Sequence, residues 1–339
     1  MTPPVDRRRP RPAHAALALA APLLLTACGS TTADDDASAG AAASPGASAA
    51  TFAFEHSAGT TDVPLDPQRI VTTTDQNALL PLLELGVTPV ASAGLVGDDG
   101  EQSFRRVEGY DTSGVEFVGA YGEPNLEAVA AQRPDLIVGY EFDETYEEYS
   151  QMAPTVLVQI FDRPLTEALL DIGRLVGEED QAQQRLEGYE ARIADLQQQL
   201  EPVRDELSVS VLTTGDAGQF YRGDDGQAVG TVMADLDLLR PDPQSQPYES
   251  GEYSLEQVPA HDADVVVVLD FSGEAGDPTL QAFLDAPLVQ GLAASQADQL
   301  HVVDGTATVG AAWGKMAAFL DELERVLVTE QPDPDVVAE

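Results

Sequence analysis

Residues 179–200 read EDQAQQRLEGYEARIADLQQQL and form the longest helical pattern in the chain. Apolar side chains recur alternately four and three residues apart, at Ala182, Leu186, Tyr189, Ile193, Leu196 and Leu200. This spacing places one apolar stripe along an otherwise polar rod, as in a helix that is buried on one side. Glu201 precedes Pro202, and a residue before proline is biased away from the helical conformation. The stretch therefore predicts one long helix over residues 179–201.

Short runs rich in valine, isoleucine and leucine lie on both sides of this helix. They occupy residues 69–73, 88–92, 136–139 and 155–159 before it, and 208–213, 265–270 and 300–303 after it. Runs that are apolar on both faces fit buried parallel strands. Helical patterns at 78–85, 125–131 and 310–328 alternate with them, which predicts an α/β architecture. Two lobes joined by one helix is the simplest arrangement, and a coiled-coil partner for that helix is the alternative.

The N-terminus carries the three parts of a secretory leader. Four arginines (Arg7, Arg8, Arg9 and Arg11) precede an apolar core that ends at Leu25 and is too short to span a bilayer. Cys28 is the only cysteine and follows Leu25-Thr26-Ala27, which resembles the bacterial lipobox, whose cysteine receives a lipid. The alternative is a buried structural cysteine. With an acylated thiol the mature chain forms no disulfide, so its fold rests on core burial.

Composition divides the remainder of the chain. Residues 28–50 are dominated by alanine, serine, glycine, threonine and aspartate, and contain too little apolar surface to order themselves. We predict a signal peptide over 1–27, a flexible tether over 28–50, an N-terminal lobe over 51–178, the bridging helix over 179–201 and a C-terminal lobe over 202–330.

The chain is strongly acidic, with 59 acidic and 17 basic residues and a formal charge of −42. Loss of a leader with four arginines and one aspartate lowers this charge to −45. Such a chain is a poor partner for nucleic acid or anionic lipid, so membrane attachment is expected from the lipid alone. The lipobox and the composition predict a protein on the extracellular face of the cytoplasmic membrane of a Gram-positive actinobacterium.

Several motifs, taken in order, resemble one known family. VPLDPQRIV at 63–71 is followed by LELGVTPV at 83–90, and GEPNLEAVA at 122–130 is followed by RPDLIVG at 133–139. IGRLVG at 172–177 leads into the long helix, and SLEQV at 254–258 precedes DADV at 262–265. These motifs are similar to those of the iron-siderophore and cobalamin substrate-binding proteins of ABC importers, the class III periplasmic binding proteins.

This resemblance implies two Rossmann-like lobes with parallel sheets, joined by a single long backbone helix, with the ligand in the cleft between them. It also implies a monomer that does not catalyse a reaction and has no cofactor, since its ligand is a ferric chelate. Ligands of open parallel sheets collect beyond the carboxyl ends of the strands. A bridging helix is stiffer than extended linkers, so the resemblance implies only small lobe movement.

Two glutamates match family positions that dock the membrane permease. They are Glu127, in the motif at 122–130, and Glu256, in the motif at 254–258. Carboxylates accept paired hydrogen bonds from arginine, and one on each lobe would fix the orientation of a transporter. The alternative for each is an ordinary glutamate near the positive end of a helix dipole.

Candidates for the cleft follow predicted strands or lie in glycine-flanked loops. The ligand-binding set comprises Gln76, Tyr121 and Tyr140 on the first lobe and Tyr221, Arg222 and Trp313 on the second. Aromatic rings with one or two arginines suit a bulky chelate. Core or surface packing is the alternative for each aromatic residue. Arg222 is the leading candidate, whereas Arg105 and Arg106 fit a solvated surface at least as well.

Other chemistry has little support in the sequence. His56, His261 and His301 are far apart, so a direct metal site is not expected. The aspartate-rich segments 97–100 and 223–226 lack calcium-loop spacing and are interpreted as turns. No nucleophile elbow, zinc-protease motif or phosphate-binding loop occurs.

The sequence thus predicts a lipid-anchored receptor that delivers a ferric siderophore to an ABC permease. The high negative charge favours a hydroxamate chelate, because a ferric tris-catecholate carries about three negative charges. The alternatives are cobalamin or haem capture by the same fold, a siderophore-hydrolysing extracellular enzyme, and a sensory or sequestering module without a permease.

Overall fold

A computed structural model describes residues 50–329 except 98, 162, 216–218, 224–226, 247–250 and 273–276. The predicted signal peptide, the lipobox with Cys28, the tether up to residue 49 and most of the 223–226 turn lie outside the described residues. Within the described part of the chain, no helix is long and apolar enough to cross a bilayer.

Fourteen strands and eleven α-helices are described, and they are numbered in chain order. The strands are β1 (Thr51–His56), β2 (Gly59–Pro64), β3 (Ile70–Thr72), β4 (Ala91–Val96), β5 (Gln102–Ser103), β6 (Glu116–Ala120), β7 (Glu123–Pro124), β8 (Leu136–Tyr140), β9 (Thr155–Val158), β10 (Val209–Thr214), β11 (Gln219–Arg222), β12 (Tyr253–Ser254), β13 (Val265–Asp270) and β14 (Leu300–Asp304). The helices are α1 (Leu80–Glu84), α2 (Leu126–Ala131), α3 (Tyr146–Ser150), α4 (Leu165–Leu175), α5 (Glu179–Leu200), α6 (Ala228–Leu236), α7 (Pro278–Leu284), α8 (Pro287–Gln290), α9 (Ala293–Gln296), α10 (Gly305–Thr308) and α11 (Trp313–Glu324).

The first half of the chain forms a seven-stranded sheet. This sheet and its helices are here called the N-lobe. Its order is β7-β6-β4-β3-β8-β9, and β5 pairs with β4. The pairs of β3 with β4 and β8, of β4 with β6, and of β8 with β9 are parallel. Hairpin β1–β2 lies beside it, and Thr61 Oγ1 donates to the carbonyl oxygen of Thr155 at 2.9 Å.

The second half builds a five-stranded sheet, here called the C-lobe, in the order β12-β11-β10-β13-β14. Its centre is parallel, because β13 pairs in parallel with both β10 and β14. The short β11 and β12 complete one side in antiparallel orientation. Strand β13 is Val-Val-Val-Val-Leu-Asp, with its first five residues buried, as a strand covered on both faces requires.

Helix α5 links the two lobes. Its buried side chains are Ala182, Tyr189, Ile193, Leu196 and Leu200, five of the six residues of the predicted stripe. They join a core cluster that includes buried residues of α4, α6 and α11, so residues from both lobes share one apolar interior. The predicted α/β fold, with two lobes and a single long backbone helix, is confirmed, and each sheet is parallel at its centre with antiparallel strands on one side.

The sequence placed the central strands well and the peripheral strands poorly. The run at 88–92 predicted a strand, whereas β4 spans Ala91–Val96, because residues 88–90 lead into the strand. Hairpin β1–β2 and strands β5, β6, β7, β11 and β12 were not predicted. Helix α11 begins at Trp313, later than the predicted 310, and π-helical turns occupy Asp75–Leu79 and Arg325–Thr329.

Candidate ligand-binding cleft

The carboxyl ends of the N-lobe strands converge on a buried carboxylate. Asp75 follows β3 and its side chain is fully buried, although no apolar pattern marks it for the core. Arg105 lies thirty residues later and donates from Nη2 to Asp75 Oδ1 at 2.7 Å and from Nε to Oδ2 at 3.0 Å. The backbone N–H of Arg105 also donates to Oδ2 at 2.8 Å. This two-point contact fixes the plane of the guanidinium group.

Three sequence-predicted residues surround Arg105. The guanidinium carbon stands 4.0 Å from the ring centroid of Tyr121. Gln76 accepts from Arg105 Nη1 at 3.0 Å in the amide orientation that satisfies both groups. Tyr140 ends β8 and lies within electrostatic range of both Tyr121 and Arg105. The structure thus brings together Gln76, Tyr121 and Tyr140 around an arginine.

Burial and charge shift the pKa values in this cluster. Burial lowers the pKa of Arg105, but hydrogen bonds and charge from Asp75 and Tyr121 outweigh it, and the net pKa lies above the ordinary value. Burial raises the pKa of Tyr140, and the charge of Asp143 adds to this rise. Arg105 therefore stays a cation, and Tyr140 stays a neutral phenol that can donate a hydrogen bond.

Arg106 reaches across to the C-lobe. Its guanidinium carbon lies 4.7 Å from the ring centroid of Phe271, which follows β13. Burial lowers its pKa, while the charge of Glu108 acts in the opposite direction. Its Nε is buried and has no hydrogen-bond partner among the described residues. The backbone of Arg106 has φ 65°, a left-handed conformation that is costly for a residue with a Cβ.

A glycine sets the position of Phe271. A Cβ on Gly305, the first residue of α10, would lie 2.7 Å from Cε1 and 2.8 Å from Cζ of the Phe271 ring. Only a residue without a side chain leaves room for the ring at this place. Because position 305 is glycine, the Phe271 ring can pack against the guanidinium group of Arg106.

Aromatic side chains continue along the N-lobe beyond Tyr140. The ring centroids of Tyr140 and Phe142 are 5.9 Å apart, and those of Phe142 and Phe161 are 5.6 Å apart. Glu141 anchors this row, because its carboxylate accepts from the backbone N–H groups of Ile160 and Phe161. Phe142 is 59% exposed, so an apolar face is open to a ligand.

Two sequence-predicted residues of the C-lobe lie on β11. Arg222 is 5% exposed and donates to the backbone carbonyl oxygens of Pro243, Gln244 and Gln246. These hydrogen bonds hold the 243–246 segment in place, so the guanidinium group has a structural role. Tyr221 donates from its hydroxyl to Glu252. The ligand-binding roles of Arg222 and Tyr221 stay predictions.

Trp313 lies apart from the arginine cluster. It is 5% exposed, its ring centroid is 6.2 Å from that of Tyr189 on α5, and it belongs to the shared core. Its backbone N–H donates to Glu84 Oε2 at 2.7 Å. Because Trp313 is buried where the two lobes meet, its fluorescence reports on this junction. Its ligand-binding role stays a prediction.

Both docking candidates lie exposed in the first turn of a helix. Glu127 follows Asn125, whose side chain accepts from the N–H groups of Glu127 and Ala128. Glu256 follows Ser254, whose Oγ accepts from the N–H of Glu256, with Gln257 completing a capping box. Neither carboxylate has a hydrogen bond or ion pair within the described part of the chain, so both are available to donors of another protein.

The described residues contain no group of three or more histidine, cysteine, aspartate or glutamate side chains placed to hold a metal ion. The side chains described in the cleft are instead guanidinium groups, phenols and aromatic rings. Such groups suit a bulky ligand with oxygen acceptors.

Sequence reasoning left Arg105 and Arg106 open and did not predict the contact between Arg105 and Asp75. One signal was present, since Arg105 and Arg106 are the only consecutive arginines after the predicted leader. The connection to Asp75 could not be derived, because it joins a strand end to an irregular segment thirty residues away.

Comparisons with known proteins identify a family for the chain. A family profile described as periplasmic binding protein matches residues 70–307. The chain is 26% identical over 321 residues to the "Probable siderophore-binding lipoprotein YfiY" of Bacillus subtilis (strain 168), which covers 90% of this chain and 94% of that protein.

Solved structures share the fold. Staphylococcus aureus SirA, solved in complex with staphyloferrin B, superposes with a TM-score of 0.68 and 23% identity, covering 82% of this chain and 98% of SirA. The siderophore periplasmic binding protein from the fuscachelin gene cluster of Thermobifida fusca superposes with a TM-score of 0.60 and 26% identity, covering 78% of this chain and 98% of that protein.

Proposed function

The chain belongs to the periplasmic binding protein family, and on this premise we propose that it captures a ferric siderophore between its lobes and delivers it to an ABC importer. The family consists of substrate-binding proteins of transporters and not of enzymes, which removes the siderophore-hydrolysing alternative. A relative that spans 90% of the chain is named a probable siderophore-binding lipoprotein, which supports the ligand class.

Arg106 is the observation that carries the proposal. The half-buried guanidinium group of Arg106 lies over the Phe271 ring, its residue has a strained backbone conformation, and its Nε has no hydrogen-bond partner among the described residues. Buried polar groups normally find partners, and an exception at a cleft indicates a ligand acceptor. Chelate oxygens around ferric iron are suitable acceptors, and the aromatic groups supply apolar contact.

Charge in the cleft favours a chelate of low net charge. Arg105 is neutralised by Asp75 at 2.7 Å, and Glu108 lies close enough to Arg106 to affect its pKa. A tris-catecholate with about three negative charges would need unmatched cations. We therefore propose a hydroxamate-type ferric siderophore, with cobalamin or haem as the alternative ligands.

Titration with a panel of ferric hydroxamates, ferric catecholates, haem and cobalamin tests this proposal. Binding is measured by calorimetry and by the melting temperature, since a ligand at about 100 times its Kd adds about 2.7 kcal/mol of stability. A response to a ferric hydroxamate is expected. A response to haem or cobalamin with none to any ferric chelate would contradict the siderophore assignment.

The variant Arg106→Met tests the site itself. Loss of a charged hydrogen bond to the ligand should weaken binding by one to two orders of magnitude, about 1.5–3 kcal/mol. The matched control is Arg204→Met, because Arg204 pairs with the exposed Asp237 on the surface of the C-lobe. Equal affinity of both variants would contradict a role for Arg106 in binding.

Delivery to a permease is proposed to depend on Glu127 and Glu256, one on each lobe. The double variant Glu127→Ala, Glu256→Ala should abolish uptake and leave ligand affinity intact. Uptake at the wild-type rate would favour a sensory or sequestering module instead. Loss of affinity would overturn the assignment of these glutamates to docking.

Attachment to the membrane is proposed to occur through a lipid on Cys28, at the extracellular face of the cytoplasmic membrane of a Gram-positive actinobacterium, with the protein acting as a monomer. Incorporation of labelled palmitate should be lost in Cys28→Ala. Sedimentation of the released protein checks the monomer. Labelling that persists in the variant would contradict the anchor.

A further inference from the structure

Glu84, the last residue of α1, lies in the N-lobe, but its side chain contacts the C-lobe. Its side chain is 2% exposed, and it accepts from the backbone N–H of Trp313 at Oε2 (2.7 Å) and of Gly314 at Oε1 (2.6 Å). These two residues open helix α11, whose N-cap residue Ala312 provides no side-chain cap. The first N–H groups of a helix have no partner within the helix and carry its positive dipole end. Glu84 of the N-lobe therefore supplies the cap that α11 lacks.

The bridging helix meets the same point. Arg185 of α5 donates from Nη2 to the backbone carbonyl oxygen of Glu84 at 2.6 Å, and Nη1 lies 3.4 Å from Oε1. Gln181, one turn earlier, donates to the carbonyl oxygen of Leu85 at 3.0 Å. Glu84 thus joins the end of α1, the bridging helix and the start of α11 at one partly buried point.

This junction is continuous with the cleft. The backbone N–H of Ala311 donates to the carbonyl oxygen of Gln76 at 3.3 Å, and Gln227 donates to Asn77 at 3.1 Å in a buried contact. Gln76 and Asn77 lie in the π-helical turn that runs directly into α1. The side chain of Gln76 faces Arg105 in the cleft. A short rigid element therefore connects the ligand-binding cluster with Glu84.

We propose that Glu84 is a positioning residue, an inter-lobe clamp that holds α11 and α5 against α1 and thereby sets the width of the ligand-binding cleft. Loss of the clamp leaves the N–H groups of Trp313 and Gly314 without their acceptor and removes the contact between Arg185 Nη1 and Oε1, so the lobes sample a wider range of separations. The effect on ligand affinity rests on the proposed function, whereas the effect on lobe separation does not.

Distance measurement between the lobes tests the clamp. Cys28 is the only native cysteine, so in the full chain with Cys28→Ala two introduced cysteines are the only thiols. Ala130→Cys on α2 and Ala282→Cys on α7 are exposed positions, one on each lobe. Spin labels at these positions report the distribution of inter-lobe distances by pulsed electron resonance, without ligand.

The test variant is Glu84→Gln, which keeps the size of the side chain. Its single amide oxygen can accept from one of the two N–H groups, while its NH₂ group faces the other and Arg185. We expect a broadened distance distribution and a red-shifted emission of Trp313, the only tryptophan. If only about a tenth of the molecules keep the lobe separation that binds ligand, Kd for the ferric chelate rises about tenfold. The control is Glu190→Gln, the same change on the exposed side of α5.

Each outcome decides one claim. An unchanged distance distribution in folded Glu84→Gln overturns the clamp, whatever happens to binding. A broadened distribution together with no chelate binding by the wild type supports the clamp and overturns the proposed function. Where Glu84→Gln does not fold, Arg185→Met carries the test, because it removes the contact to α5 and leaves the cap of α11 in place. Broadening in that variant supports the clamp, and an unchanged distribution overturns it.

Discussion

A glycine shapes the cleft as much as the residues that carry side chains. Phe271 lies in its place under Arg106 because Gly305 leaves the space that its ring fills. The ring and the guanidinium group come from different lobes, so this contact closes part of the cleft wall. Substitutions at Gly305 therefore act on the proposed ligand site through the Phe271 ring.

We predict that Gly305→Ala displaces the Phe271 ring, because the new Cβ would lie 2.7 Å from it. Overpacking of this kind costs about 1–3 kcal/mol of stability, and the moved ring should weaken chelate binding. Calorimetric titration and urea unfolding measure both effects. The control is Gly114→Ala, whose Cβ would meet only Thr88 at 3.9 Å. Equal affinity for the two variants would show that Phe271 does not contribute to the site.

A second residue-scale prediction concerns His56 in hairpin β1–β2. Its Nε2 is 2.9 Å from Thr61 Oγ1, its ring centroid is 5.5 Å from that of Tyr146 with the two rings tilted by 57°, and burial lowers its pKa. The unfolded chain therefore binds this proton more readily than the folded protein. The stabilisation is complete above the ordinary pKa of about 6.5 and is lost as the pH falls toward the folded value.

The comparison of wild type with His56→Gln isolates this effect. The free energy of unfolding of the wild type should exceed that of the variant by more at about pH 7.5 than at about pH 5. Urea unfolding at both pH values measures the difference. A difference that grows at the lower pH would contradict the sign of the pKa shift.

From the sequence we chose Gln76, Tyr121 and Tyr140 as cleft residues, and the structure places them near Arg105, while their roles in ligand binding stay predictions. Gln76 and Tyr121 come after β3 and β6, Tyr140 is the last residue of β8, and the ends of parallel strands meet at one edge of a sheet. Arg105 and Arg106 belong to an irregular segment whose course depends on the contact with Asp75. Periodicity carries no information about such a segment, so the contacts of Arg105 and Arg106 became visible only in the structure.

At the scale of elements, the apolar pattern determined the centre of each sheet. Strands β8, β9, β10 and β13 are covered on both faces, so nearly continuous apolar runs reveal them. Strands β5, β7 and β12 have two residues each, which is too short for any pattern. Helix α5 was predictable to within one residue because its stripe of buried side chains is long.

Packing between helices depends on close approach at defined positions. A Cβ on Gly173 in α4 would lie 2.6 Å from the Cβ of Ala182 in α5, whereas one on Gly188 in α5 would meet nothing within 4 Å. We predict that Gly173→Ala destabilises the protein by about 1–3 kcal/mol, since α4 and α5 must separate. Gly188→Ala should stabilise it by about 0.5–1 kcal/mol, because alanine is the better helix former.

These two variants form a matched pair in adjacent helices, and denaturant unfolding compares them directly. Opposite signs of the change in free energy are expected. A neutral Gly173→Ala would mean that α4 can shift along α5 without loss, which would contradict tight packing between the N-lobe and the bridging helix.

At the scale of the whole molecule, the dominant property is a formal charge of −42. Like charges on a compact surface repel one another, and unfolding moves them apart, so low salt should destabilise the folded state. The screening length falls from about 10 Å at 0.1 M salt to about 3 Å at 1 M. We predict that the melting temperature rises with sodium chloride over this range. A chloride salt is preferable to sulfate, which strengthens apolar burial by a separate mechanism.

The same titration separates the two classes of ferric ligand. Repulsion between the acidic surface and an anionic chelate weakens with salt, whereas a chelate of low charge meets a cleft in which Arg105 is matched by Asp75. The Kd of a ferric hydroxamate should therefore change little between about 0.05 M and 0.5 M sodium chloride, while stability increases over the same range. A Kd that rises steeply with salt would instead mean that attraction between Arg106 and an anionic ligand dominates binding. In that case the local cation outweighs the net charge of the molecule, and the ligand is of the catecholate or carboxylate type.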